Sequence, residues 1–92
     1  MQITYDPAKS ARNIALRGLS FERAAEFDWP GATLKEDARK VYPERRIVAV
    51  GYLEARLHVL CFTETATGIR VVSFRKANQR EARDYEKTIA ID

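Results

Sequence analysis

Apolar and polar positions recur along this chain with two different periods, and the places where the period changes mark out its elements. Met1 to Tyr5 is a short apolar and β-branched segment, expected to form a first strand. Asp6-Pro7 reads as a helix start, because an Asp side chain caps free amides and proline is pre-set for the first helical position; Gly18 closes the helix. Within it Ala8, Ala11, Ile14 and Ala15 recur at helical spacing and are expected to face a sheet. Lys9, Asn13 and Arg17 fall four apart on another face, with Arg12 beside them. Ser20 caps a second helix whose buried face is Phe21, Ala24 and Ala25. Asp28-Trp29-Pro30-Gly31 ends it, since the residue before proline is pushed out of helical geometry and Pro-Gly is a turn signal.

The second half of the chain changes to β patterning. Ile47 to Leu53 and Leu57 to Thr63 are rich in β-branched and aromatic residues, and Glu54-Ala55-Arg56 between them has the length of a tight hairpin. Thr65-Ala66-Thr67-Gly68 is a further turn, leading into an alternating strand from Ile69 to Phe74. A last helix begins at Asn78, where Asn-Gln-Arg-Glu has capping-box spacing, and runs to about Ile89 with Ala82, Tyr85 and Ile89 on one side. The expected order is β-α-α-β-β-β-α, or the same with one extra short strand at Ala32 to Leu34, before a charged connection ending at Tyr42-Pro43. Strands grouped together indicate an α+β domain, an antiparallel sheet with helices packed on one face. Residues 1–92 read as a single domain without repeats or low-complexity tracts.

Composition narrows the chemistry. The single cysteine, Cys61, excludes an internal disulfide, and one histidine leaves no Cys/His cluster for zinc, so neither metal nor cofactor is expected. The start Met-Gln-Ile-Thr-Tyr lacks a basic segment followed by an apolar run, which points to a cytoplasmic protein without a membrane span. A net charge of +3 favours an acidic partner only weakly, but arginine heavily outnumbers lysine, and the guanidinium is a planar, permanently charged fork suited to phosphate.

Candidate chemistry concentrates where the last strand meets the last helix. From Ile69 to Tyr85 this junction gathers Ser73, Arg75, Lys76, Glu81 and Tyr85, and a strand end that turns into a helix start lets side chains of two rigid elements converge. The same block carries a resemblance. Tyr5-Asp6-Pro7-Ala8-Lys9 with Asn13, then Phe21-Glu22 and Ala24, then Glu44, Arg46 and Gly51, and finally Arg70-Val71-Val72-Ser73-Phe74-Arg75-Lys76-Ala77 with Glu81 and Tyr85, resemble the BrnT toxin family over nearly the whole chain. Two departures stand out: Leu16-Arg17-Gly18 replaces the usual Lys-His-Gly, and Phe74 stands where the family usually has Ala.

The resemblance implies a RelE-like fold and a metal-independent ribonuclease toxin of a bacterial type II toxin–antitoxin system. It also implies neutralisation by a BrnA-like antitoxin, whose ribbon-helix-helix domain would carry the pair to operator DNA. Such cleavage needs the 2′-hydroxyl deprotonated, positive charge on the crowded phosphorane, and a proton for the departing 5′-oxygen. By resemblance, Arg75, Arg46 and Lys9 are expected on the phosphate, with Glu81, Glu44, Tyr85 or a lysine of depressed pKa as the groups left for proton transfer. Arg17, Asn13, Arg12, Ser73 and Lys76 are expected to bind RNA. The alternatives are a catalytically weakened toxin acting as antitoxin-binding co-repressor, or a simple RNA-binding domain.

Each of these residues also has a structural reading. Lys9, Asn13 and Arg17 would line any solvated helix face, Glu81 would pair with Asn78 as a cap, the Tyr85 ring would be core, and Arg75 and Lys76 would guard a strand end. His58 is expected at the surface, Cys61 as a buried apolar residue, and Trp29 as a lid over the core.

Overall fold

A computed structural model describes residues 1–90. The strands are β1 (Gln2–Tyr5), β2 (Thr33–Glu36), β3 (Arg46–Leu53), β4 (Arg56–Glu64) and β5 (Gly68–Lys76). The helices are α1 (Pro7–Arg17), a 3₁₀ helix (Phe21–Glu26) and α2 (Gln79–Ala90). The strands form one sheet in the order β1-β5-β4-β3-β2, antiparallel except that β1 runs parallel to β5. The expected α+β class and element order hold, and the strand anticipated after the second helix is β2.

The placement of the helices differs from expectation. α1 and the 3₁₀ helix cover one face of the sheet, where Phe21, Ala24 and Phe27 join Ile47, Ala49, Leu60, Phe62, Val71 and Phe74 in the main core. α2 lies on the other face, where Tyr85 and Ala82 pack with Leu57, Val59, Val48 and Val50. With both faces of β4 covered, in-or-out alternation no longer separates buried from exposed along that strand. His58 is therefore not a surface histidine: it is 5% exposed, its ring rests 5.6 Å from that of Phe74, and its Nδ1 lies 2.8 Å from the Arg56 carbonyl. Each large core side chain contributes roughly 1.5–3 kcal/mol by its burial. Trp29 caps this core as expected, edge-on to Phe27 at 4.9 Å and to Phe62 at 5.4 Å, with its indole N–H on the Ala24 carbonyl.

α1 is turned opposite to its hydrophobic pattern. Ala8, Ala11, Ile14 and Ala15 are exposed, and the buried residues of the helix are Ser10 and Asn13. Backbone groups explain the choice. Asn13 Nδ2 donates to the carbonyls of Leu19 and Phe74, both at 2.9 Å, and Ser10 Oγ accepts from the Phe21 amide at 3.0 Å. Phe74 lies past the end of β1, which stops opposite Val71, and a buried carbonyl left unpaired there would be costly. Alanines bring little apolar area to bury, so exposing them costs less than orphaning those groups.

The second helix is a 3₁₀ turn, and its period of three buries Phe21, Ala24 and the following Phe27 while leaving Ala25 exposed, against expectation. At the C-terminal end Ile89 is 49% exposed rather than on the buried side of α2. Between Cys61 and Phe62 the register shifts: Phe62 pairs Val71 and Cys61 pairs Ser73, leaving Val72 as the extra residue of a β-bulge. The bulge resets the parity of β5, so Arg70 comes to the same face as Ser73 and Arg75.

Candidate functional site

The cationic side chains of the α2 face fall into cross-strand rows. Arg70, Thr63 and Arg46 lie side by side across β5, β4 and β3; Ser73, Cys61 and Val48 form the next row; Arg75, Val59 and Val50 form the one after. α2 covers the last row. The first remains open, and there a hollow of about 170 Å³ is lined by Asp6, Lys9, Pro43, Glu44, Arg46, Thr63 and Arg70, with Val71 and Val72 of the bulge. That volume suits one phosphate group and lies below the roughly 300 Å³ at which pockets for whole small-molecule ligands begin.

Each cation reaches the hollow for a local reason. Lys9 sits in the first turn of α1, which starts there because Asp6 Oδ1 accepts from the Ala8 amide at 2.9 Å and Pro7 opens the helix. Arg46 begins β3, and Arg70 is delivered by the bulge. Among the described residues neither Arg46 nor Arg70 is in a salt bridge, and neither is Lys9. Arg45, one residue earlier, is held by Glu36 at 2.7 Å and Glu64 at 3.6 Å. Arg46 instead has its guanidinium carbon 4.2 Å from the centre of the Tyr42 ring.

Arg75 does not join Lys9 and Arg46, contrary to expectation. Its Nη1 and Nη2 donate to the Glu81 carboxylate oxygens at 2.8 Å each, and it is absent from the lining of the hollow. Glu81 also accepts from the Asn78 amide at 2.9 Å, while the Glu81 amide donates to Asn78 Oδ1 at 2.8 Å: the capping box that the spacing anticipated. The Arg75 guanidinium holds the Glu81 carboxyl below its usual range, so this carboxylate is a fixed anion and a poor proton carrier. Tyr85 is buried too. Its hydroxyl donates to the Gly31 carbonyl at 2.7 Å, its ring lies 5.9 Å from that of Tyr52, and burial pushes its pKa up.

The expected RNA-binding residues divide. Asn13 is the buried bolt already described, whereas Arg17 is exposed: its Nη1 donates to Asn13 Oδ1 at 3.0 Å, and it is absent from the hollow's lining. Arg12 is exposed on α1, away from the hollow's lining. Ser73 is exposed on the sheet face between the two arginine rows, and Lys76, opposite His58 on β4, points to the other face. Cys61 beneath Ser73 is a buried thiol whose pKa is raised by that burial, which leaves it protonated.

Sequence reading quotes Arg70 in the resembling block without giving it a role, and does not single out Arg39. No one-residue alternation would have placed Arg70 on this face, because the bulge that does so has no local signature beyond the doubled Val71-Val72. Arg39 stands on the loop between β2 and β3, where its Nε and Nη2 donate to the two oxygens of buried Asp37, both at 2.9 Å. The Arg39 guanidinium holds that carboxyl well below the carboxylate range.

The small α+β domain therefore carries on its sheet an open hollow lined by two arginines and a lysine, with the size and charge to accept a single anionic group. The family model of the ribonuclease toxin BrnT, of type II toxin–antitoxin systems, matches residues 5–81, and the chain belongs to that family. Comparison with curated proteins and with solved structures finds no match. A toxin of such a system implies a cognate antitoxin and an RNA substrate. Among the described residues no helix is long and apolar enough to cross a membrane.

Proposed function

We propose that this toxin cleaves RNA in the hollow between β3, β5 and the start of α1, with Arg46 and Arg70 on the scissile phosphate and Lys9 completing the charge around it. The observation that carries this reading is the convergence of three cations, none of them in a salt bridge among the described residues, on one phosphate-sized space. Negative charge grows on the non-bridging phosphoryl oxygens as the 2′-hydroxyl oxygen attacks, and on the 5′-oxygen as its bond to phosphorus breaks. Fixed guanidinium groups stabilise that state more than the ground state. Glu44, the carboxylate of the hollow besides the capping Asp6, takes the proton of the 2′-hydroxyl, and the Lys9 ammonium supplies one to the departing 5′-oxygen. Because the residues present supply the charge themselves, the reading includes the metal-independent route that the family resemblance implies.

The same reading has the toxin act in the cytosol and be silenced by a BrnA-like antitoxin that also carries the operator-binding domain. The test uses purified protein and total bacterial RNA. Arg46→Ala is expected to slow cleavage by on the order of a hundredfold with an unchanged circular dichroism spectrum, and Glu44→Gln to slow it by a further measurable factor through loss of the base. An Arg46→Ala protein that cuts RNA at the wild-type rate overturns the assignment.

A further inference from the structure

Resting on that assignment, we infer that Tyr42 is a positioning residue for cleavage: its ring holds the Arg46 guanidinium in the hollow while leaving the N–H fork free for phosphate. A carboxylate partner would occupy those donors, as Glu36 and Glu64 occupy Arg45 and as Glu81 occupies Arg75. An aromatic face attracts the cation through its quadrupole and takes no hydrogen bond from its edge. Tyr42 sits 4.2 Å beneath the Arg46 guanidinium carbon, and among the described residues that cation has no salt bridge of its own.

The ring is itself anchored. Its hydroxyl donates to Asp37 Oδ2 at 3.2 Å, and the Asp37 side chain is only 3% exposed. The same carboxylate accepts the Arg39 side chain at 2.9 Å and the Arg39 amide at 3.2 Å. The Asp37 amide donates to the Arg46 carbonyl at 2.8 Å, so one residue ties the loop to the backbone of the arginine that its other end positions. Asp37 thus organises the loop, Tyr42 transmits the order, and Arg46 uses it.

Initial rates of cleavage of purified total bacterial RNA, over a range of RNA concentrations, test this with Tyr42→Phe, Tyr42→Trp and Tyr42→Leu. Phe and Trp keep the π face and lose only the hydroxyl tie to Asp37, one of several bonds that hold the loop, and are expected to fall by no more than about threefold. Leu keeps apolar bulk without the quadrupole and is expected to lower kcat by about tenfold or more with a smaller change in KM, since misplacing a catalytic group acts on the transition state. In an Arg46→Ala background Tyr42→Leu is expected to change the rate no further, because the two act as one unit. Tyr42→Leu as active as Tyr42→Phe, or a full additional loss in the Arg46→Ala background, overturns the inference and leaves the site standing. An active Arg46→Ala protein removes the site and this inference together.

Discussion

Arg46 and Arg75 project from the same face of one sheet, two cross-strand rows apart, and their surroundings hold them in opposite ways. Arg75 meets a carboxylate that is itself fixed by a helix cap, so its charge is neutralised where it stands and the pair staples β5 to α2. Arg46 meets an aromatic ring, keeps its donors, and borders a hollow shared with Lys9 and Arg70. The difference teaches that the usefulness of a cation to a phosphate is set by what already holds it. A motif that lists both arginines does not separate them.

The largest effect outside the hollow is expected at Asn13: Asn13→Ala leaves the buried carbonyls of Leu19 and Phe74 without their donor and should cost on the order of 2–3 kcal/mol in urea unfolding. Glu81→Ala and Arg75→Ala should each cost about 1 kcal/mol, since the pair is partly exposed and the cap is shared with Asn78. Were Arg75 a phosphate ligand instead, its removal would leave stability nearly unchanged and abolish cleavage.

The pH dependence of stability follows from the same contrast. Glu81 in the unfolded chain protonates near its ordinary value of 4.5, and in the folded protein at lower pH because Arg75 holds it. Its contribution is therefore full above about pH 4.5 and is lost as pH falls through the folded value. Tyr85 has the opposite sign. Burial raises its pKa above the ordinary 10.0, so its contribution is full below pH 10 and fades as pH rises through the raised value. Thermal midpoints across acid and alkaline pH should fall at both ends, and Glu81→Gln should weaken the acid limb. The smallest effect is expected at Ile14, 49% exposed on the outward side of α1: Ile14→Ser should change stability by less than about 0.5 kcal/mol, whereas a core position would lose several times that.

Much of the fold was legible in the sequence because its boundaries are written in local chemistry. Asp6-Pro7 and Gly18 bound α1, Asn78 and Glu81 open α2, and alternation marks β3 to β5. What misled was periodicity where polar groups outrank apolar area. The alanine stripe of α1 points outward because Ser10 and Asn13 are needed by backbone groups, and His58 is buried because its strand is covered on both faces. The site was legible in part. Lys9, Arg46 and Glu44 do line one hollow, while Arg70 depends on a bulge and the commitment of Arg75 depends on a long-range geometry that spacing alone expresses only as a cap.

On this reading phosphate is gripped by Arg46 in the hollow and not by Arg75 at the helix junction. RNA cleavage rates of Arg46→Ala and Arg75→Ala, measured side by side on protein shown to be folded at the assay temperature, test it most directly. Arg46→Ala is expected to lose about a hundredfold in rate, and Arg75→Ala to change by only a few-fold. The reverse order, with Arg75→Ala inactive and Arg46→Ala active, would contradict it.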